Sequence, residues 1–169
     1  MESRARALGH AIHPTLIVFP LGLLATAVIF DIIYLFNDRE GLAAASGYMI
    51  AAGLIGGLVA AAFGLIDWLA IPAGTRAKRV GLWHGSLNVV VVALFAISWL
   101  LRLGGDGWEP GVAALIFSFA GAGVALVSAW LGGELVERLG IGVDRGAGPD
   151  ASSSLRGAAD RPRTAGPYR

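Results

Sequence analysis

Residues 111–131 have the sequence GVAALIFSFAGAGVALVSAWL and contain no charged side chain. Residues 14–36, 46–71 and 82–101 have the same character, with at most one Asp, Glu, Lys or Arg in each stretch. A helix needs about 20 apolar residues to cross the hydrocarbon core of a bilayer. A membrane-spanning strand needs only about ten and alternates polar with apolar side chains, which these stretches do not. The sequence therefore predicts four transmembrane helices.

The composition of the whole chain agrees with a membrane protein. Of its 169 residues, 56% are hydrophobic and only 15% are charged, against roughly 25% charged residues in a soluble domain. This balance excludes a soluble globular domain, a disordered chain and a nucleic-acid-binding module. The chain has no cysteine, which excludes disulfides, thiolate metal sites and a cysteine nucleophile.

Short connections join the four spans, at residues 37–45, 72–81 and 102–110. Short connections make consecutive helices antiparallel neighbours, so we expect an all-α membrane protein with an up-down-up-down bundle. Pro20 lies inside the first span and predicts a local kink.

Basic residues indicate the orientation of the bundle. They are concentrated in the N-terminal segment, in the second connection and after the fourth span: Arg4, Arg6, Arg76, Lys78, Arg79, Arg138 and Arg145. Because positive charge marks the cytoplasmic side of a membrane, both termini are predicted to be cytoplasmic. Residues 1–144 form the transmembrane domain, and residues 145–169, rich in Gly, Ala, Ser, Pro and Arg, are predicted to be a disordered tail.

The first and third spans each combine a histidine with a charged residue. Asp31 follows His13 by 18 residues, and Arg102 follows His84 by 18 residues. Eighteen residues make five helical turns, so both members of each pair share one helix face, about 27 Å apart. Since the two spans run in the same direction, the histidines are expected level with each other at the cytoplasmic end.

Asp31 and Arg102 are expected level at the opposite end, where they can form an ion pair. Ionisable groups at membrane depth usually face the interior of a bundle. The alternative is that Arg102 extends to the lipid headgroups while Asp31 meets water at the end of its helix.

The second and fourth spans carry stripes of small residues at helical spacing. The stripe of the second span ends in a carboxylate, and the two stripes consist of Gly53, Gly57, Ala60, Gly64 and Asp67, and of Ser118, Gly121, Ala125, Ser128 and Gly132. Small residues let helices approach closely in lipid. The stripes are interpreted either as packing surfaces or as space for a cofactor.

His13 and His84 are the main candidate functional residues. Diagonal helices in a bundle with neighbouring axes 8–10 Å apart are roughly 12–14 Å apart, which is the span needed for a haem between two axial imidazoles. Asn88 lies one turn after His84, and Arg76 and Arg79 are candidate partners of the haem propionates. This interpretation predicts a small b-type cytochrome, an electron carrier or a subunit of one.

Two other interpretations remain open at this stage. In the first, His13 and His84 join Asp67, His10 and Glu134 around an iron, manganese or zinc ion, since imidazole and carboxylate ligands suit these metals. In the second, the polar groups only satisfy one another, and the bundle is a structural subunit of a larger membrane complex or a homo-oligomer. A nucleophile–base pair, a phosphate-binding loop and an HExxH motif are all missing, which argues against an autonomous enzyme.

Several motifs, in order along the chain, resemble the bacterial membrane protein family called domain of unknown function 2231. They are His13-Pro14, Phe19-Pro20-Leu21-Gly22-Leu23, Asp31, Gly64-Leu65-Ile66-Asp67-Trp68, Ile71-Pro72, His84 with Asn88, and Trp130-Leu131-Gly132-Gly133-Glu134-Leu135. The resemblance covers roughly residues 9–144 and implies four transmembrane helices in a bacterial inner membrane, without a settled activity. The family pattern includes His13, Asp31, Asp67, His84 and Glu134. Similar domains fused to Rieske-type iron–sulfur domains suggest electron transfer.

Overall fold

The structure is a computed structural model that describes residues 1–37 and 40–155. It contains five α-helices: α1 (Ile12–Leu16), α2 (Val18–Asn37), α3 (Glu40–Ala70), α4 (Arg76–Arg102) and α5 (Val112–Gly133). The shorter elements are two paired strands, β1 (Arg6–Ala7) and β2 (His10–Ala11), a 3₁₀ turn at Asp106–Trp108 and a π-helical turn at Glu134–Arg138. Four helical segments of the described residues are long and apolar enough to cross a membrane, with α1 and α2 together making the first.

The helix of the first span is interrupted at Ile17, between α1 and α2 and three residues before Pro20. Pro20 has no N–H to donate to the carbonyl of Leu16, four residues before it, and its ring crowds that carbonyl. The helix is re-established when the N–H of Leu21 donates to the carbonyl of Ile17 at 3.1 Å.

Two helices begin six residues before the predicted membrane spans. Helix α3 starts at Glu40, before the span predicted from residue 46, and α4 starts at Arg76, before the span predicted from residue 82. The early start of α4 has a clear cause, because the hydroxyl of Thr75 caps it by accepting the backbone N–H of Lys78 at 3.1 Å. Capping residues stabilise a helix start even in a polar sequence.

The core lies in the middle of the bundle and is small. Ala27, Ile50, Val91 and Phe95, from the first three spans, are buried together. The fourth span reaches this core through Gly121, where an added Cβ would lie 2.9 Å from the Phe95 ring. At this level the small-residue stripes serve helix packing, as small residues do between helices in lipid.

The two ends of the bundle differ in what closes them. The inner end, defined here as the end with residues 1–11, 71–75 and 139–155, is covered by the segment before α1. At the outer end Trp108, in the connection 103–111, packs against the rings of Tyr48 and Trp99. The predicted cytoplasmic position of the inner end stays a prediction. Residues 145–155 contain turns but neither helix nor strand, and the predicted tail beyond residue 155 lies outside the described residues.

Candidate functional site

Two polar clusters lie inside the bundle, one towards each end. At the outer end the structure brings Asp31 and Arg102 together. Nη2 of Arg102 lies 2.6 Å from Oδ2 of Asp31, and Nη1 lies 2.9 Å from Oδ1. Both side chains are 0% exposed. The pair therefore does not reach the lipid headgroups or bulk water.

Serine hydroxyls from the remaining spans complete this outer cluster. Ser46 on α3 donates to Oδ1 of Asp31 at 2.6 Å, and Ser118 on α5 donates to Oδ2 at 3.2 Å. Ser98, one turn before Arg102 on α4, lies 3.5 Å from Nη2. All four spans thus contribute to one hydrogen-bonded network around a neutral ion pair, which is the arrangement that makes a buried charge tolerable.

At the inner end the structure brings His13 and His84 together. Their ring centroids are 6.4 Å apart and the ring planes are nearly perpendicular, at 88°. Both side chains are half-buried. The expectation that the two histidines lie level on parallel spans is thus met by their side chains.

A neighbouring span holds each ring through Nδ1. Nδ1 of His13 lies 2.8 Å from the carbonyl oxygen of Ala60, and Nδ1 of His84 lies 2.9 Å from that of Ser128. A carbonyl only accepts hydrogen bonds, so Nδ1 carries the proton in both rings. In a neutral imidazole the other nitrogen, Nε2, then presents its lone pair. This is the usual arrangement of a histidine that binds a metal, with the second ring nitrogen donating to a carbonyl.

Glycines of the small-residue stripes make room for the two rings. A Cβ added at Gly64 would lie 3.0 Å from the His13 ring, and one at Gly132 would lie 3.1 Å from the His84 ring. Each glycine follows the residue with the accepting carbonyl by four positions, so both lie on one helix face. At this end the stripes provide space for imidazoles.

His84 has an additional neighbour on its own helix. Nδ2 of Asn88 lies 3.1 Å from Nε2 of His84 and 3.0 Å from its carbonyl oxygen. The amide donates to Nε2, in agreement with the lone pair assigned to that nitrogen. Asn88 therefore lies beside His84, and its predicted part in cofactor binding stays a prediction.

The structure does not bring the other predicted metal ligands to the histidine pair. Asp67 accepts hydrogen bonds from the Ser3 hydroxyl and from the backbone N–H groups of Arg4 and Ala5, at 2.7–3.2 Å. Glu134 is paired with Arg76, and His10 is exposed with Nδ1 3.2 Å from the carbonyl of Leu8. Within residues 1–37 and 40–155, no three His, Cys, Asp or Glu side chains are placed to hold a metal ion. The site of mixed imidazole and carboxylate ligands is thus not assembled, because these groups bind the segment before α1, a neighbouring arginine and a local carbonyl.

Arg76 and Arg79, the predicted partners of the haem propionates, are only partly available for that role. Nη2 of Arg76 binds Oε1 of Glu134 at 2.6 Å. Arg79 is exposed, and its position five residues before His84 places it about 140° round the helix from that histidine.

The segment before α1, residues 1–11, is called here the N-terminal strap. Besides its bonds to Asp67, it reaches the far side of the inner end, where Arg6 donates to Oδ2 of Asp144 at 2.9 Å. This hydrogen bond raises the pKa of Arg6. The carbonyl of Ala5 accepts the N–H of Ile12, directly before His13. Asp67 is therefore the residue that anchors the strap to α3.

Sequence reasoning missed several residues of the two clusters. Ser46 and Ser98 were not assigned a role, although each lies at a helical position that faces a predicted ion-pair partner. Ser118 and Ser128 were recognised only as small residues. The carbonyl acceptors of Ala60 and Ser128 leave no signal in residue type, since every residue has a carbonyl.

Comparison with known proteins identifies the family of the chain. No curated protein and no solved structure matches it. The family model described as a predicted membrane protein, DUF2231, matches residues 9–145, which include both histidines, the ion pair and all four spans. The chain is therefore a multi-pass membrane protein that belongs to the DUF2231 family.

Proposed function

We propose that the chain is a small b-type cytochrome of the bacterial inner membrane, in which His13 and His84 bind one haem iron near the cytoplasmic face. The observation that carries this proposal is the pair of half-buried imidazoles with centroids 6.4 Å apart. Two imidazoles that bind one metal from opposite sides have centroids roughly 6–7 Å apart, because each metal–nitrogen bond is about 2.0–2.1 Å long. Perpendicular ring planes are compatible with this arrangement, since binding one metal from opposite sides sets no particular angle between the two ring planes.

The number of protein ligands favours haem over a bare ion. A zinc, manganese or non-haem iron site takes at least three protein ligands. The inner cluster offers two imidazoles, and the nearby carboxylates Asp67 and Glu134 are bound elsewhere. A porphyrin would supply the other ligands of its iron, so His13 and His84 would be the two residues that hold a haem.

The hydrogen bonds of the two rings fit the role of axial ligands. The carbonyls of Ala60 and Ser128 hold the Nδ1 protons, so each ring has a fixed tautomer and orientation. Such outer partners raise the basicity of the ligand and help to set the potential of the iron. Haem b would supply one-electron transfer, and the protein's contribution is to hold two imidazoles in an apolar bundle. The electron partner would dock at the inner end, either transiently or within a larger membrane complex.

Absorption spectroscopy tests the proposal directly. The protein is expressed with added haem precursor, purified in mild detergent, and measured oxidised and after dithionite reduction. We expect about one haem per chain and the sharp reduced α band of a low-spin b haem. His13→Ala and His84→Ala should each lose most of the bound haem or the low-spin spectrum, while still inserting into the membrane.

His10→Ala is the matched control for these variants. His10 lies three residues before His13 but is exposed and outside the pair, so its removal should leave haem content and spectrum unchanged. A colourless wild-type protein would refute the proposal. So would full haem content and an unchanged spectrum in both His13→Ala and His84→Ala.

A further inference from the structure

A groove lies at the inner end of α3, on the surface of the bundle. Its volume is about 430 Å³, and its lining residues, three from α3 and one from the N-terminal strap, are Ile66, Leu69, Ala70 and Arg4. Ile66 and Leu69 are 47% and 63% exposed. Because these α3 residues belong to a candidate membrane span, we expect lipid to face this groove, which is called here the α3 groove.

The strap fixes the backbone of Arg4 beside the α3 groove and leaves its side chain free. The N–H of Arg4 donates to Oδ1 of Asp67 at 2.7 Å, and the flanking Ser3 and Ala5 donate to the same carboxylate. In the described part of the chain, the guanidinium of Arg4 has neither an ion pair nor a hydrogen bond. The strap thus holds an unpaired cation next to an apolar surface.

Other cations close to this end of α3 already have partners. Arg6 binds the carboxylates of Glu2 and Asp144, and Arg76 binds that of Glu134. The ammonium of Lys78 donates to the carbonyl of Trp68 at 2.7 Å and lies 4.0 Å from the centre of its ring. Arg4 therefore differs from them in having its charge available to a ligand.

We propose that the α3 groove binds an anionic phospholipid, whose headgroup phosphate pairs with the guanidinium of Arg4 and whose acyl chain lies along the apolar lining residues of α3. A guanidinium suits a phosphate because its planar set of donors can bind two oxygens at once. The lining residues include one cation and no carboxylate, which favours a lipid with a net negative charge over a zwitterionic one. This inference does not depend on the proposed haem site.

Such a lipid also stabilises the strap. Arg4 contacts the headgroup through its side chain and Asp67 through its backbone N–H, so both contacts require the strap to lie on α3. A ligand that binds only one conformation shifts the equilibrium towards that conformation by mass action. The amount of anionic lipid around the inner end therefore controls how often the strap detaches.

Native mass spectrometry of the full chain in mild detergent tests the lipid site. The protein is titrated with phosphatidylglycerol or with phosphatidylcholine of the same acyl chains. The wild type should bind phosphatidylglycerol about fivefold more tightly, the effect of one basic side chain at an anionic surface. Arg4→Ala should remove this preference, and Arg4→Lys should keep part of it. Arg138→Ala is the matched control, because Arg138 is an exposed cation after the fourth span that does not line the groove.

Ala70→Phe tests the groove separately from the charge. The larger side chain occupies the groove and leaves Arg4 in place, so binding of phosphatidylglycerol should fall towards that of Arg4→Ala. Hydrogen exchange in nanodiscs measures the effect on the strap. The N–H groups of residues 4 and 5 should exchange more slowly in phosphatidylglycerol than in phosphatidylcholine, and this difference should disappear in Arg4→Ala.

Four results would each overturn the inference. They are equal binding of the two lipids to the wild type, an unchanged preference in Arg4→Ala, an equal loss of preference in Arg138→Ala, and wild-type binding of phosphatidylglycerol in Ala70→Phe. Because none of these measurements uses haem, they leave the proposed cytochrome untouched.

Discussion

The outer and inner polar clusters both place polar groups inside a membrane bundle, but these groups are satisfied in different ways. At the outer end Asp31 and Arg102 neutralise each other, and hydroxyls from the other spans satisfy the carboxylate. At the inner end each histidine is bound at Nδ1, so the lone pair of each neutral ring lies on Nε2, which in His84 accepts the Asn88 amide. The outer cluster pairs two charges, whereas the inner cluster holds two neutral imidazoles.

This difference separates a structural role from a binding role. A buried ion pair that is bonded to all four spans fixes their relative positions, and its removal should change stability. The imidazole pair should contribute less to stability, because its rings make only neutral hydrogen bonds, to the carbonyls of Ala60 and Ser128 and to the Asn88 amide. The variants below test this division, from the largest expected effect to the smallest.

Breaking the ion pair should have the largest effect. Arg102→Met leaves the Asp31 charge buried without its partner, so we expect a loss of about 3–5 kcal/mol in the free energy of unfolding. Thermal unfolding in detergent, followed by circular dichroism, measures this loss. His84→Ala at the other end should cost only about 1 kcal/mol in the same assay.

The double variant Asp31→Leu, Arg102→Met sharpens the test. Removing both charges eliminates the unpaired group, so the double variant should recover more than half of the stability that Arg102→Met loses. If the double variant is as unstable as the sum of both single variants, the outer cluster does not act as a paired unit.

The anchor of the N-terminal strap should have the next largest effect. Asp67 accepts three hydrogen-bond donors of the strap, and Asp67→Asn removes the negative charge that strengthens these hydrogen bonds. Hydrogen bonds to a charged group contribute about 1.5–3 kcal/mol each, so the strap should open locally. Faster hydrogen exchange at the N–H groups of Arg4 and Ala5 measures this opening.

Asp67→Asn also separates the strap anchor from a metal ligand. Haem content should be unchanged, since Asp67 does not touch the histidine pair in the structure. Loss of a bound metal in this variant, with the strap still protected from exchange, would restore Asp67 as a ligand and contradict the division between the two roles.

Substitution of a glycine that contacts an imidazole ring should have a smaller, local effect. A Cβ at Gly64 would lie 3.0 Å from the His13 ring, so Gly64→Ala should displace that ring by a few tenths of an ångström. We expect haem affinity to fall about tenfold, equivalent to about 1.4 kcal/mol, in a titration of the haem-free protein.

Gly85→Ala is the control for this variant, because nothing lies within 4 Å of a Cβ added at Gly85, next to His84. It should leave haem affinity unchanged and raise helix stability by up to about 1 kcal/mol. Equal haem affinity in Gly64→Ala and the wild type would show that the close contact with Gly64 does not position the His13 ring.

Much of this architecture was predictable from the sequence, and the reason is periodicity. Uncharged stretches of about 20 residues define the spans, and the equal spacing from His13 to Asp31 and from His84 to Arg102 predicts that both pairs meet. Pro20 predicts its kink because the missing donor acts locally. These features depend on residue type and on distance along one helix.

The remaining features depend on contacts between distant segments. The sequence pattern places Asp67 level with the histidine pair. In the structure its carboxylate instead accepts three hydrogen-bond donors of the strap. The same holds for Glu134, because the cap at Thr75 starts α4 early and places Arg76 on its first turn, within reach of that carboxylate. Helical periodicity gives no information about partners from distant segments. The sequence therefore predicts that Asp67 and Glu134 bind a metal, whereas in the structure they bind the strap and Arg76.

The ion pair between Arg76 and Glu134 should have the smallest effect of all. It is short, at 2.6 Å, but the Arg76 side chain is 55% exposed, and exposed pairs contribute about 0–1 kcal/mol. Glu134→Gln should therefore change the unfolding temperature by little, and added salt should remove even that difference. Haem content should also stay at the wild-type value, because neither histidine contacts this pair. A large loss of stability or of haem in Glu134→Gln would mean that the inner end depends on its surface charges, and that the contrast with the buried outer pair is wrong.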